Sequence, residues 1–205
     1  MPCNLISDEH FMNTESVQPI LTPNFQIELN SSEEVDSAPA CTLQKVEVQI
    51  DWAEGRQRQI SARIRIPYTV EQVWQILTDY EHLVDFIPNL SKSRLLPHPQ
   101  GRIRLEQIGA QSFLKLKFCA RVVLDMVEKF PHQLDFQMVE GDFKEFSGSW
   151  LLHPCGLEAG TDLSYIVRIV PPRAMPVGLI ERRLCHNLAV NLTSIWKRAE
   201  AVYGL

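Results

Sequence analysis

Two periodicities divide the chain. Over residues 43–52, Val46, Val48, Ile50 and Trp52 alternate with Lys45, Glu47, Gln49 and Asp51, the pattern of a half-buried strand. Residues 56–66 alternate again. Ile60, Ala62, Ile64 and Ile66 fall on one side, Gln59, Ser61, Arg63 and Arg65 on the other, and Pro67 ends the run. The period then changes. Val70, Val73, Trp74, Ile76 and Leu77 share one face of a short helix behind Thr69, with Gln72 placed to complete a capping box. Residues 80–86 read as a second short helix or turn, stopped by Pro88. From residue 91 alternation returns. Segments 91–96, 101–108, 113–127, 133–139, 144–152 and 161–170 read as strands, with turns expected at 109–111 and 154–160. Short connections favour antiparallel order, and the lack of a βαβ rhythm disfavours a dinucleotide-binding fold.

The last pattern is the longest. In residues 175–205, Val177, Ile180, Leu184, Leu188, Leu192, Ile195, Ala199 and Val202 recur three or four apart. That spacing makes an apolar stripe on a helix of about 40 Å. Such a stripe must lie on something large. The expected class is α+β: one long C-terminal helix on an antiparallel sheet of about seven strands, with two short helices after the first strand.

Composition changes this picture mainly at the N-terminus. The formal charge of the 205 residues is -5. Residues 1–40 hold seven acids and no Lys or Arg, so the remaining body is close to neutral. Residues 1–40 are therefore expected to be a disordered or loosely docked acidic leader, and 41–205 a single domain. A near-neutral body argues against nucleic acid as partner. The leader lacks a basic start and a continuous apolar core, and no segment reaches the length of a membrane helix. Five cysteines without regular spacing fit free thiols in a reducing cytoplasm.

Candidate chemistry is sparse. The six histidines and five cysteines form no zinc spacing, so no metal is expected. There is no GxSxG and no phosphate-binding glycine pattern, and no catalytic residue or cofactor is assigned. Most strand carboxylates share a side with other polar residues. The aromatic positions Trp74, Phe86, Phe113, Phe118, Phe136, Phe146, Trp150 and Tyr165 are the stronger lead. They are either plain core or the lining of an apolar pocket with a few polar groups.

Three fragments decide between these. Residues 66–80 read Ile-Pro-Tyr-Thr-Val-Glu-Gln-Val-Trp-Gln-Ile-Leu-Thr-Asp-Tyr, and residues 83–91 include Phe86-Ile87-Pro88. Gly141-Asp142-Phe143 is followed by Gly148-Ser149-Trp150. In this order they resemble the START, or Bet v 1-like (SRPBCC), superfamily, and within it the polyketide cyclase/dehydrase branch that includes coenzyme Q-binding proteins. The resemblance runs from about residue 58 to 203. It implies a helix-grip fold, a curved sheet wrapped around the long helix, and a cavity for a hydrophobic small molecule such as a lipid, polyprenyl quinone, isoprenoid or polyketide. Ile180, Leu184 and Leu188 would then join the aromatic residues as ligand-binding wall. Binding or transport is the leading expectation, with transient membrane-surface contact to exchange ligand and a cytoplasmic, peripheral location. Two alternatives stay open. One is a cyclase or aromatase using Asp125, Tyr165, Arg121 or Arg168, and the other is a protein-interaction module.

Overall fold

Among the described residues, eight strands pair into one antiparallel sheet in the order β1-β2-β8-β7-β6-β5-β4-β3. The computed structural model describes residues 46–52, 55–113, 116–156, 160–173 and 176–204. The leader assigned to residues 1–40 lies outside them. The strands are β1 Glu47–Trp52, β2 Arg58–Ile66, β3 Leu90–Leu96, β4 Ile103–Phe113, β5 Leu116–Lys129, β6 Gln133–Gly141, β7 Glu145–Pro154 and β8 Thr161–Val170. Between β2 and β3 come helix α1, Val70–Thr78, and a 3-10 turn, Tyr80–Asp85; helix α2, Val177–Tyr203, closes the chain.

The short-range predictions hold at α1. The Thr69 hydroxyl accepts from the Gln72 N–H at 3.3 Å, and the Gln72 side chain accepts from the Thr69 N–H at 2.9 Å. Both halves of the capping box are present, which satisfies two otherwise orphaned donors. Other expectations need correction. The sheet has eight strands rather than about seven, and the two short helical segments follow the second strand, not the first. Residues 109–111 are not a turn. Gly109, Ala110 and Gln111 pair with Ala120, Cys119 and Phe118, so β4 continues to Phe113. Gly109 is an ordinary strand position: a Cβ there would lie 3.6 Å from the Asn89 carbonyl, and the Ala110 N–H, donating to that carbonyl at 2.9 Å, extends the β3–β4 pairing.

One face of the sheet is apolar. Ile60, Ala62, Ile64 and Ile66 of β2 and Leu163, Val167 and Ile169 of β8 are almost wholly buried there. Helix α2 sits on this half, packing on β2 with further contact to α1, β1 and β8. Ile180, Leu188, Leu192, Ile195 and Ala199 of its expected stripe are buried, joined by Cys185 and Ala189; Val202 is exposed. Arg58 of β2 forms an ion pair with Glu181, and the Tyr203 hydroxyl donates to Gln75 of α1 at 2.7 Å. These contacts hold both ends of α2. The far half of the sheet, from β3 to β7, curves away from the helix, and α1 and the 3-10 turn cover its end. The Ser93 hydroxyl ties that turn down by donating to the Tyr80 carbonyl at 2.6 Å.

The other face carries charge. Glu106 is 4 % exposed, yet it meets Lys92 at 2.8 Å, Arg121 at 2.7 Å and Arg94 at 2.7 Å. These hydrogen bonds, from Lys92 first, hold its carboxyl down at about 2. Arg104 likewise lowers Asp125. Burial would raise Asp162, but hydrogen bonds from Arg65 and Arg63 leave it lowered. Depressed carboxylates stabilise the fold above their unfolded pKa, and that contribution is lost as pH falls through the folded value. The melting temperature is thus expected to fall steeply from about pH 4 towards about pH 2. Thermal melts across this range check it, and a melting temperature at about pH 2.5 equal to that near neutrality would contradict it.

Candidate functional site

Because α2 rests on only half of a curved sheet, side chains do not fill the space over the other half. Three adjoining chambers occupy it. The inner one, about 90 Å³, lies among Leu77 and Tyr80, the strand residues Gln107, Phe136 and Trp150, and Asn191 of α2. A middle chamber of about 170 Å³ shares Gln107, Tyr165 and Asn191 with it and adds Ala120, Phe146 and Leu188. An outer one of about 90 Å³ shares Gly109, Ala120 and Leu184 with the middle one and reaches Ile180 and Arg183.

An aromatic ladder forms one wall. Trp150 and Tyr165 are register partners on β7 and β8, and their rings stack at 3.6 Å and 4°. Phe136 lies 6.0 Å from Tyr165 and 5.4 Å from Phe146, which stacks on Phe143 at 5.6 Å. Gly148 makes this possible. It pairs with Phe136, and a Cβ there would lie 2.6 Å from the Phe136 ring. The ring occupies the space that a side chain would need.

The polar content of the lining is small. Asn89 donates to Asn187 at 3.3 Å between the 87–90 loop and α2. Gln107 donates to Ser93 Oγ at 3.3 Å. Asn191 Oδ1 is buried with no hydrogen-bond partner among the described residues. Burial alone pushes the Tyr165 phenol up, so it stays protonated at any ordinary pH. No Asp, Glu, His or Lys lines the three chambers among the described residues, and Arg183 is their one charged side chain.

Of the sequence-predicted wall residues, Phe136, Phe146, Trp150, Tyr165, Ile180, Leu184 and Leu188 border the chambers. Trp74 and Phe86 do not. Trp74 is buried under α1 and meets Phe130 edge-on at 5.5 Å; Phe86 lies beneath the Arg198 guanidinium at 5.6 Å. Trp74 lies in the core at 5 % exposure, and Phe86 is the residue that ends the 3-10 turn. The side chains of Phe113 and Phe118 lie outside the described residues. Sequence reasoning missed Gln107, Asn187 and Asn191. A signal existed: Gln107 interrupts the apolar side of β4, and two asparagines stand four apart beside the α2 stripe, where asparagine is a poor helix former.

The catalytic candidates are dispersed. Asp125 is bound by Arg104 at 2.6 and 2.9 Å, and Arg121 by Glu106 and Glu140. Arg168 donates to Gln59 at 2.8 Å. Strand alternation places all three on the charged outer face, where Asp125 and Arg168 border an open groove. Tyr165 alone faces the cavity.

Comparison with known proteins agrees with this geometry. Residues 66–193 match the family of polyketide cyclase/dehydrase and lipid transport proteins. The chain belongs to that family. It is thus a member of the START, or Bet v 1-like (SRPBCC), superfamily. Among curated relatives, the ribosome association toxin RatA of Escherichia coli K12 is 24% identical over 151 residues, 71% of this chain and 89% of RatA. The fold is similar to a STAR-related lipid transfer protein from Xanthomonas axonopodis, with TM-score 0.62 and 14% identity over 81% of this chain and 97% of that one. It is also similar to the Zhui aromatase/cyclase of Streptomyces sp. R1128, with TM-score 0.59 and 18% identity over 73% and 99% of the two chains. Among the described residues no helix is long and apolar enough to cross a membrane.

Proposed function

We propose that the protein binds or carries a hydrophobic small molecule in the space between α2 and the β3–β7 half of the sheet. The observation that carries this reading is the run of adjoining chambers, walled by aromatic and aliphatic side chains with a few uncharged polar groups. An apolar ligand there gains about 25 cal/mol for each Å² removed from water. The family's lipid-transport members support this reading. A lipid, polyprenyl quinone, isoprenoid or polyketide-like compound all fit such a wall. The aromatase/cyclase likeness favours a second reading, catalysis in the same cavity. Three of the four candidate acid, base or cationic groups lie on the other face of the sheet, which weighs against it. Leu179, 40 % exposed beside the Ile180 end of the cavity, is the residue to test for transient contact with a membrane during ligand exchange.

Full-length protein purified gently should release lipid-like material on organic extraction, identified by mass spectrometry. A chain that carries nothing, and that binds no lipid, quinone or pigment at micromolar concentrations, rejects the proposal.

A further inference from the structure

Three of the cavity's uncharged polar groups lie towards its inner end, while Asn89 and Asn187 border only the middle and outer chambers. Asn191, Gln107 and Tyr165 border both the inner and the middle chamber. Asn191 Oδ1 is buried with no donor to meet it among the described residues. A buried acceptor left unpaired is costly, so a structure that keeps one beside a cavity gains when a ligand donor reaches it. Gln107 spends a donor on Ser93 Oγ, whose own proton goes to the Tyr80 carbonyl. That fixed chain leaves the Gln107 amide oxygen as a second acceptor. The Tyr165 hydroxyl can both donate and accept. The unpaired Asn191 acceptor calls for a ligand that offers a proton, which an ionised carboxylate or phosphate does not have; the carboxamide N–H groups and the Tyr165 hydroxyl can meet the lone pairs of a neutral hydroxyl. What weighs against an anion is this acceptor and, among the described residues, the lack of a cation beside it. Arg183 borders the outer chamber but not the inner or the middle one. An anionic head at the inner end would be desolvated without a counter-charge.

We propose that the inner end of the cavity selects a neutral, hydroxyl-bearing head group through Asn191, Gln107 and Tyr165, and rejects carboxylates and phosphates. The inference rests on the cavity being a binding site. It goes further by naming the class of head group and the residues that read it.

The test uses three rigid probes of one shape: naphthol, naphthalene and naphthoate, titrated calorimetrically into the full chain near neutral pH. Naphthol is expected to bind at least about thirtyfold more tightly than naphthoate, because the ionised probe stays unpaired. Asn191→Leu, of similar size, should lower the naphthol-to-naphthalene affinity ratio about tenfold while naphthalene still binds. Tyr165→Phe should lower the same ratio several-fold. It removes one oxygen from a stacked ring, so it also carries the test should Asn191→Leu fail to melt cooperatively. Equal affinity for naphthol and naphthoate overturns the inference and leaves the cavity reading standing. So does an unchanged ratio in a folded Asn191→Leu protein, or in Tyr165→Phe if the first variant does not fold. Absence of binding by all three probes rejects the cavity reading and this inference together.

Discussion

Ala120→Trp is expected to abolish ligand binding while the protein still folds. Ala120 sits on β5 opposite Gly109 of β4 and borders both the middle and the outer chamber. Neither residue fills its share of the wall. A Cβ built on Gly109 meets nothing closer than the Asn89 carbonyl at 3.6 Å, so the space beside this pair is open. An indole at position 120 can occupy most of the about 170 Å³ of the middle chamber without displacing the core. If it excludes about 120 Å² of ligand surface, the loss is about 3 kcal/mol, more than a hundredfold in affinity. The check is the ligand content of Ala120→Trp protein purified beside the wild type, with a thermal melt to confirm cooperative folding. A folded variant with wild-type ligand content would place the ligand elsewhere.

Gly148→Ala is expected to give the largest loss of stability. The added carbon would lie 2.0 Å from the Ile166 carbonyl and 2.6 Å from the Phe136 ring. A ring can rotate away; a backbone carbonyl within a paired strand cannot without opening the β7–β8 ladder. Overpacking costs about 1–3 kcal/mol where side chains can give way, and this site lies at or above the upper end. At roughly 2–4 °C per kcal/mol for a chain of this size, the melting temperature should drop by about 6–12 °C. A second change, Phe136→Leu, should recover only part of that, because it leaves the carbonyl in place. Differential scanning calorimetry of the three proteins settles the point. A Gly148→Ala variant as stable as the wild type would mean that β7 and β8 are spaced more widely here than described.

Much of this fold can be read from the chain because its signals are local. Alternation marked β2, β6 and β8, spacing marked α2, and the Thr69–Gln72 box marked the start of α1 to the residue. Residues 109–111 misled because a glycine in a turn and a glycine inside a paired strand look alike in one sequence. Only the β5 partner strand distinguishes them. The site divides in the same way. Phe136, Phe146, Trp150 and Tyr165 were visible because they are large and lie on the apolar side of their strands. Trp74 and Phe86 are equally large, but their rings meet Phe130 and Arg198, neighbours far away in sequence that no local pattern announces. Asn191 and Gln107 escaped notice because a polar residue on an apolar face becomes meaningful only once that face borders empty space. The cavity itself is a property of curvature and of where α2 docks, and neither is written at any one position.

The strand order also has a kinetic consequence. From β3 to β8 every neighbour in the sheet is a neighbour in sequence, so this meander can assemble hairpin by hairpin. The β2–β8 seam is different, since it joins residues roughly a hundred positions apart, and closing so long a loop is entropically slow. The helix α2 packs chiefly on β2, so it can settle only when that seam closes. The chambers therefore have no existence in the meander alone. They need α2 as a wall, so they are complete only once the β2–β8 seam has closed, and a ligand held there would latch that closure rather than template what precedes it.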